Sequence, residues 1–265
     1  MFEKERDFGG NQIQGGRDYQ EDAQAFGSLR KGSDDKVEVL LTVLTDGMGG
    51  ANAGDFASET VLREVVGYCA EFNFEDGIDE APKVLDFAMK AANQAMAKAI
   101  DKDESLDGMG CTLLATLMTK DKLYWLSVGD SPLYLYRKGK MEQINEDHSM
   151  VPLIKQLIDE GKLKPEAVFT HPHRNALRSV MGGCEVDLID CPRKALQLRP
   201  GDIVVVASDG IQSLSENSIC SVIEKNYHLD AAAISEKLIT AVEDVKRPRQ
   251  DNTSVNVIRL PIREK

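Results

Sequence analysis

At 265 residues and a formal net charge of −12, the chain suits one large domain or two small ones with a substantial core. It carries no run of about 18 apolar residues that could span a bilayer, and its acidic balance disfavours nucleic acid, whose binders present basic patches. The opening Met1-Phe2-Glu3-Lys4-Glu5-Arg6-Asp7 is charged and lacks the apolar centre of a secretory signal, so a soluble, cytoplasmic chain without membrane attachment is expected.

In chain order, the segment up to about Phe26 reads as strand-like and holds Arg17 shortly before the carboxylate pair Glu21-Asp22. A polar turn is expected over Leu29–Lys36. The apolar, β-branched run Val39-Leu40-Leu41-Thr42-Val43-Leu44-Thr45 predicts a buried strand that stops at Asp46-Gly47-Met48-Gly49-Gly50. An Asp-Gly strand end sets a carboxylate and a backbone carbonyl side by side, because glycine tolerates the φ > 0 of a tight turn. Ala53–Phe72 reads as a helix with Ala57, Val61, Val65 and Cys69 on one face. A second helix starts near Pro82, a residue suited to a first turn, and its stripe of Leu85, Ala88, Met89, Ala92, Met96 and Ala99 reads as core filling.

Three strands follow, Cys111–Thr119, Leu123–Val128 and Leu133–Arg137, and the short connections around them predict antiparallel neighbours. Asp147-His148-Ser149 looks like a helix start, with Val151, Ile154, Leu157 and Ile158 as the apolar face and Gly161 as the stop. A polar surface excursion then runs to His173. Ile203–Ser208 is a second buried strand ending in Asp209-Gly210, followed by helices over Glu216–Lys225 and Asp230–Val245, and the chain closes with Asp251-Asn252 and a strand over Thr253–Leu260. The sequence has no internal repeat or linker, which predicts a single domain over residues 1–265. Adjacent strands with helices arriving in pairs predict an α+β architecture of stacked antiparallel sheets covered by helices.

The five cysteines, Cys69, Cys111, Cys184, Cys191 and Cys220, are odd in number and scattered, which argues against a disulfide framework or structural zinc. Most read as small buried hydrophobes. His171 and His173 flank Pro172, and with no third ligand nearby they read as an exposed loop pair rather than a metal site. His148 reads as part of the helix start and His228 as a surface residue between helices.

Asp46 and Asp209 end strands and Asp251 begins one, so antiparallel pairing can gather all three at a single sheet edge. Asp130 ends a further strand, and Glu21-Asp22 can reach the same rim. So many carboxylates cannot stay ionised together without bound cations or protons. Oxygen ligands without His or Cys select hard ions, Mg²⁺ or Mn²⁺. Two such ions can activate a bridging water and neutralise a phosphoryl group, for which Arg17 is the natural bidentate partner.

These motifs, in this order and over nearly the whole length, resemble the metal-dependent serine/threonine protein phosphatases of the PPM (type-2C) class in their compact bacterial form. Arg17 with Glu21-Asp22 is similar to the family's Arg-x-x-Asn-Glu-Asp element, with Gln20 in place of Asn. Asp46-Gly47-Met48-Gly49-Gly50, Gly110-Cys111-Thr112, Val128-Gly129-Asp130-Ser131, Asp147-His148-Ser149, Leu177-Arg178-Ser179-Val180-Met181-Gly182, Ser208-Asp209-Gly210 and Asp251-Asn252-Thr253 complete the resemblance. It departs at Met48, where some members have a histidine proposed as general acid, at Pro132, where the family has arginine, and at Ser213, which is acidic in some relatives.

The resemblance implies a four-layer αββα sandwich, two antiparallel β-sheets flanked by helix pairs, with a flap subdomain at about 150–174. It implies two Mn²⁺ or Mg²⁺ ions and a weaker third. Asp46 would bridge the two, Gly47 would give its carbonyl to the first, and Asp209 and Asp251 would bind the second. Glu21 and Asp22 would act through water, Asp130 with Asp209 would form the third site, and Arg17 would hold phosphate. The implied activity is hydrolysis of phosphoserine and phosphothreonine in proteins by a metal-activated water, without a covalent intermediate. The implied partners are phosphorylated proteins, the substrates of a serine/threonine kinase; a monomer is expected. A non-catalytic phosphoprotein-binding module on the same fold and a two-metal hydrolase of small phosphate esters are the alternatives.

Overall fold

The structure, a computed structural model, describes residues 2–30, 38–49, 53–72, 74 and 77–261. The elements run β1 Phe8–Ile13, β2 Asp22–Arg30, β3 Glu38–Met48, α1 Ala53–Glu71, α2 Ala81–Ile100, β4 Gly110–Cys111, β5 Leu113–Met118, β6 Lys122–Val128, β7 Leu133–Arg137 and β8 Lys140–Gln143. Then follow α3 Val151–Asp159, α4 Ala167–Thr170, β9 Leu196–Gln197, β10 Ile203–Ala207, α5 Glu216–Lys225, α6 Ala231–Asp244 and β11 Thr253–Arg259.

Two antiparallel sheets stack face to face. One has the order β1-β11-β10-β7-β8 and the other β2-β3-β5-β6-β9, with β4 beside the end of β3. Side chains alternate across each strand, and that alternation builds three apolar layers. On β3, Val39, Leu41 and Val43 pack with Val61, Val65, Leu85 and Met96 of α1 and α2. Leu40 and Leu44, one residue out of step, pack between the sheets against Leu114, Val204, Val206 and Ile258. Val205, Val255 and Val257 bury the second helix pair through Ile219, Ile234 and Leu238. Each fully buried aliphatic side chain contributes about 1.5–3 kcal/mol. The layers are therefore helix pair, sheet, sheet, helix pair, as the resemblance implied.

Several expectations need correction. The central strand does not stop at Asp46, because Gly47 and Met48 still pair with Cys111 and Gly110 of β4. Strand 133–137 is not a neighbour of strand 123–128. After Val128 the chain turns through Gly129 and crosses to the other sheet, where β7 pairs with β10 and β8. The opening segment is two strands in different sheets, separated by the loop that carries Arg17. β8, β9 and the single-turn α4 leave no signal in the sequence, because they are short and lack periodicity. Of the expected turn over Leu29–Lys36, Leu29 and Arg30 belong to β2, and the remainder, like Gly50, lies outside the described residues.

All five cysteines are free, but only Cys69 and Cys111 are buried; Cys184 is exposed and Cys191 and Cys220 are half-buried. Most are therefore not core residues. Among the described residues, no helix is long and apolar enough to cross a membrane.

Candidate active site

The carboxylates meet at one end of the sandwich. Asp46 shares the inter-sheet face of β3 with Leu40 and Leu44, so it points into the gap between the sheets where the apolar layer ends. Asp22 lies directly opposite Asp46 in the β2–β3 register. From the other sheet, β10 ends at Ala207, and Ser208 N–H donates to the Ser254 carbonyl of β11 at 3.0 Å. This brings Asp209, just past β10, beside Asp251, just before β11. Arg17, Glu21, Asp46, Gly47, Asp130, Asp209 and Asp251 line one cleft of about 430 Å³. The residues do gather, but across two sheets: no single sheet edge supplies them all. Asp22 lies beneath the cleft, 5% exposed, where its Oδ2 accepts the Ser208 hydroxyl at 2.7 Å.

Polar neighbours hold the backbone around Asp46 and Glu21. The Asp46 N–H donates to Thr112 Oγ1 at 3.0 Å, and the Thr112 N–H donates back to the Asp46 carbonyl at 2.9 Å. Gly47 is wedged between two backbones: a Cβ there would collide with the Gly54 carbonyl and lie 2.7 Å from the Glu21 carbonyl oxygen. Only glycine fits. The Glu21 carboxylate rests over Gly54 in the first turn of α1, where a helix N-terminus favours negative charge. Asn252 ties the Arg17 loop down by donating to Gln14 O at 2.8 Å and Tyr19 O at 2.9 Å, while its Oδ1 accepts the Glu21 N–H at 2.9 Å.

Crowding raises the acids. Burial, then Asp22, Asp209 and Asp130, hold the Asp46 carboxyl well above the usual carboxylate range. Burial, then Asp209 and Asp147, push Asp130 up to about 8. Burial with Asp251 and Asp22 pushes Asp209 to about 7, partly offset by Arg17 and Arg174. Burial raises Asp22 to about 6 against its bond from Ser208. Glu21 is raised by burial and opposed by Arg17. Such a cluster ionises fully only with cationic charge among its oxygens.

Glu21 Oε1 and Asp22 Oδ1 are buried with no hydrogen-bond partner, which leaves acceptor capacity unused beside Asp46. The donors are all oxygen, a fit for a hard divalent cation. Among the described residues, no three His, Cys, Asp or Glu side chains close a ligand shell by themselves. A cation here would complete its shell with backbone carbonyl and water, as small hard ions do.

Arg17 is exposed at the rim and its Nη2 bonds Asp251 Oδ2 at 2.5 Å, so Asp251 aims the guanidinium at the cleft. Sequence reasoning missed four contributors: Thr112, Ser208, Asn252 and Arg174. Thr112 and Asn252 act through bonds to backbone and Ser208 through its hydroxyl on Asp22, contacts that no spacing reveals, although all three sit inside motifs already singled out. Arg174 sits among the polar residues of the excursion, and its charge reaches Asp209. His171 and His173 lie beside each other outside the cleft, with rings 5.9 Å apart; His173 is exposed and His171, which caps α4, is half-buried.

A two-sheet sandwich with flanking helix pairs thus ends in an all-oxygen acidic cleft, a donor set that suits a hard divalent cation. Residues 19–244 match the family model for protein phosphatase 2C, and the chain belongs to that family, in the compact bacterial PPM form. It is 34% identical over 201 residues to the serine/threonine protein phosphatase PstP of Mycobacterium tuberculosis, covering 75% of this chain but only 37% of PstP's length. It is 30% identical over 184 residues to the serine/threonine phosphatase stp of Listeria innocua, covering 68% of this chain and 70% of that protein. The crystal structure of the M. tuberculosis phosphatase superposes with a TM-score of 0.77 at 29% identity, over 96% of this chain and 98% of that one. A PstP catalytic domain in complex with two manganese ions superposes with a TM-score of 0.74 at 27% identity, over 94% of this chain and 96% of that one.

Proposed function

We propose that the chain is a single catalytic domain that hydrolyses phosphoserine and phosphothreonine in proteins, with the excursion at about 150–174 as its flap. The observation that carries this reading is the convergence of Asp46, Asp130, Asp209 and Asp251 on one cleft beside Arg17.

Two bound Mn²⁺ or Mg²⁺ ions would supply an activated water and a positive field for the phosphoryl oxygens. Asp46 and the Gly47 carbonyl would hold one side of the pair, and Asp209 and Asp251 the other. Asp130 with Asp209 would hold a weaker third ion, while Glu21 at the cleft wall and Asp22 beneath it would act through bound water. Arg17, held by Asp251 through one nitrogen, would bind the phosphate and fix it in line for attack. Met48 lines the cleft and offers no proton to a leaving alkoxide. Among the described residues, no cysteine or histidine lines the cleft, in keeping with direct attack by water.

The test is phosphate release from a phosphothreonine peptide, with Mn²⁺ and then with excess chelator. Metal-dependent release supports the reading. Folded protein that binds Mn²⁺ and releases nothing is a binding module, and release that survives the chelator refutes the metal chemistry. Preference for small phosphate esters over the peptide would reassign the substrate class.

A further inference from the structure

Asp130 follows Gly129, whose φ of +101° and would-be Cβ, 2.6 and 2.8 Å from the Thr112 side chain, mark a forced turn at the end of β6. Both backbone polar groups of Gly129 are held by one residue. The His148 N–H donates to the Gly129 carbonyl at 3.1 Å, and His148 Nδ1 accepts the Gly129 N–H at 3.2 Å. His148 is 1% exposed. An amide N–H can only donate, so Nδ1 carries the lone pair and the ring proton sits on Nε2. Burial pushes the imidazole below its usual range, in keeping with a neutral ring.

The other side of the same segment grips the base of the excursion. The His148 carbonyl accepts the Arg178 N–H at 2.8 Å, and the Met150 N–H donates to Ala176 O at 3.0 Å. Arg178 Nε adds a bond to Ser149 O at 2.9 Å. Ala176 and Leu177 line the cleft. Residues 147–150 therefore stitch the two ends of the excursion together and pin the turn before Asp130 with the same few bonds.

We propose that His148 is a positioning residue that sets Asp130 for metal binding and ties that carboxylate to the base of the flap. The proposal rests on the reading of Asp130 as a metal ligand. A purely space-filling role would be met by any side chain of similar size. The acceptor at Nδ1 is specific, because without it the buried Gly129 N–H loses its partner.

The test is calorimetric Mn²⁺ titration of the full chain, with the weak site defined as the one that Asp130→Asn removes. His148→Leu should weaken that site by about 10–100-fold, the range for lost outer-shell support, and leave the tight sites within about twofold. His148→Asn, whose Oδ1 replaces Nδ1 as acceptor, should restore it. Should His148→Leu fail to fold, ¹⁵N NMR of the wild-type chain decides instead: an unprotonated Nδ1 bonded to the Gly129 amide is expected. Unchanged weak-site affinity in folded His148→Leu, equal losses in the Leu and Asn variants, no site lost in Asp130→Asn, or a protonated Nδ1 would each overturn the proposal. Absence of any Mn²⁺ binding by the wild type would instead count against the proposed function.

Discussion

Gly47→Ala is a sharp probe because the added atom meets backbone on two sides. The new Cβ would collide with the Gly54 carbonyl and lie 2.7 Å from the Glu21 carbonyl oxygen, where ordinary contact begins at 3.4 Å. The β2 side must therefore retreat by about 0.7 Å and the first turn of α1 by more, since neither neighbour can rotate away as a side chain would. Overpacking costs about 1–3 kcal/mol, and backbone neighbours put this case near about 3 kcal/mol. For a chain of this size that lowers Tm by about 6–12 °C. A displacement approaching 1 Å at Asp46 and Gly47 should cost about a hundredfold in kcat. The assay is turnover of a phosphothreonine peptide at saturating Mn²⁺, beside thermal unfolding. Gly67 supplies the contrast: it lies in α1 with nothing within 4 Å of a built Cβ, so Gly67→Ala should stabilise by about 0.5–1 kcal/mol. A Gly47→Ala variant within twofold of wild-type kcat and within about 1 °C in Tm would refute the steric reasoning.

Asp209→Asn should cut turnover by more than the roughly hundredfold that supporting shells are worth; near-normal activity at saturating Mn²⁺ would remove Asp209 from the centre. In chelator, the unfolding temperature should fall as pH rises from about 4 to about 8. Asp22, Asp209 and Asp130, raised to about 6, 7 and 8, keep their protons in the native state after the unfolded chain has lost them. Asp130→Asn should flatten that slope, and a metal-free Tm that climbs between pH 5 and pH 8 would contradict it. Arg137→Ala removes the guanidinium that binds Asp202 at 2.8 and 2.6 Å. Asp202 is 2% exposed and would be left with the Arg199 N–H at 2.7 Å, so losing the guanidinium should cost about 3 kcal/mol, the low end for a broken buried pair. A denaturant midpoint close to wild type would show that the carboxylate finds other partners.

Much of the centre was legible because its motifs are local. An apolar run ending in Asp46-Gly47 or in Asp209-Gly210 announces a strand that delivers a carboxylate, and the paired helices declare themselves by a 3.6-residue period. The strand ends were less legible. β3 continues past Asp46 only because β4, more than sixty positions on, supplies partners for Gly47 and Met48, and such pairing has no local signature. The swap of β7 into the opposite sheet turned on Gly129, a residue whose sequence context reads equally well as a hairpin. Asp147-His148-Ser149 reads as a helix start, and Ser149 N–H does bond Asp147 Oδ1 at 2.7 Å. The buried contact of His148 with Gly129 is a tertiary event.

By itself, the sequence determined which residues are the candidates for that chemistry, since oxygen ligands at strand ends, with an arginine nearby, suit a hard cation and a phosphate. Its two-residue and 3.6-residue periods also determined that helices cover stacked sheets, while the four-layer order was what the family resemblance implied. The tertiary structure decided that the carboxylates come from two sheets facing each other across the end of the sandwich. It decided too that burial in that gap raises them together, and that His148 reaches the turn beside Asp130. Proximity between distant segments follows from how the sheets stack, and stacking depends on every buried side chain at once.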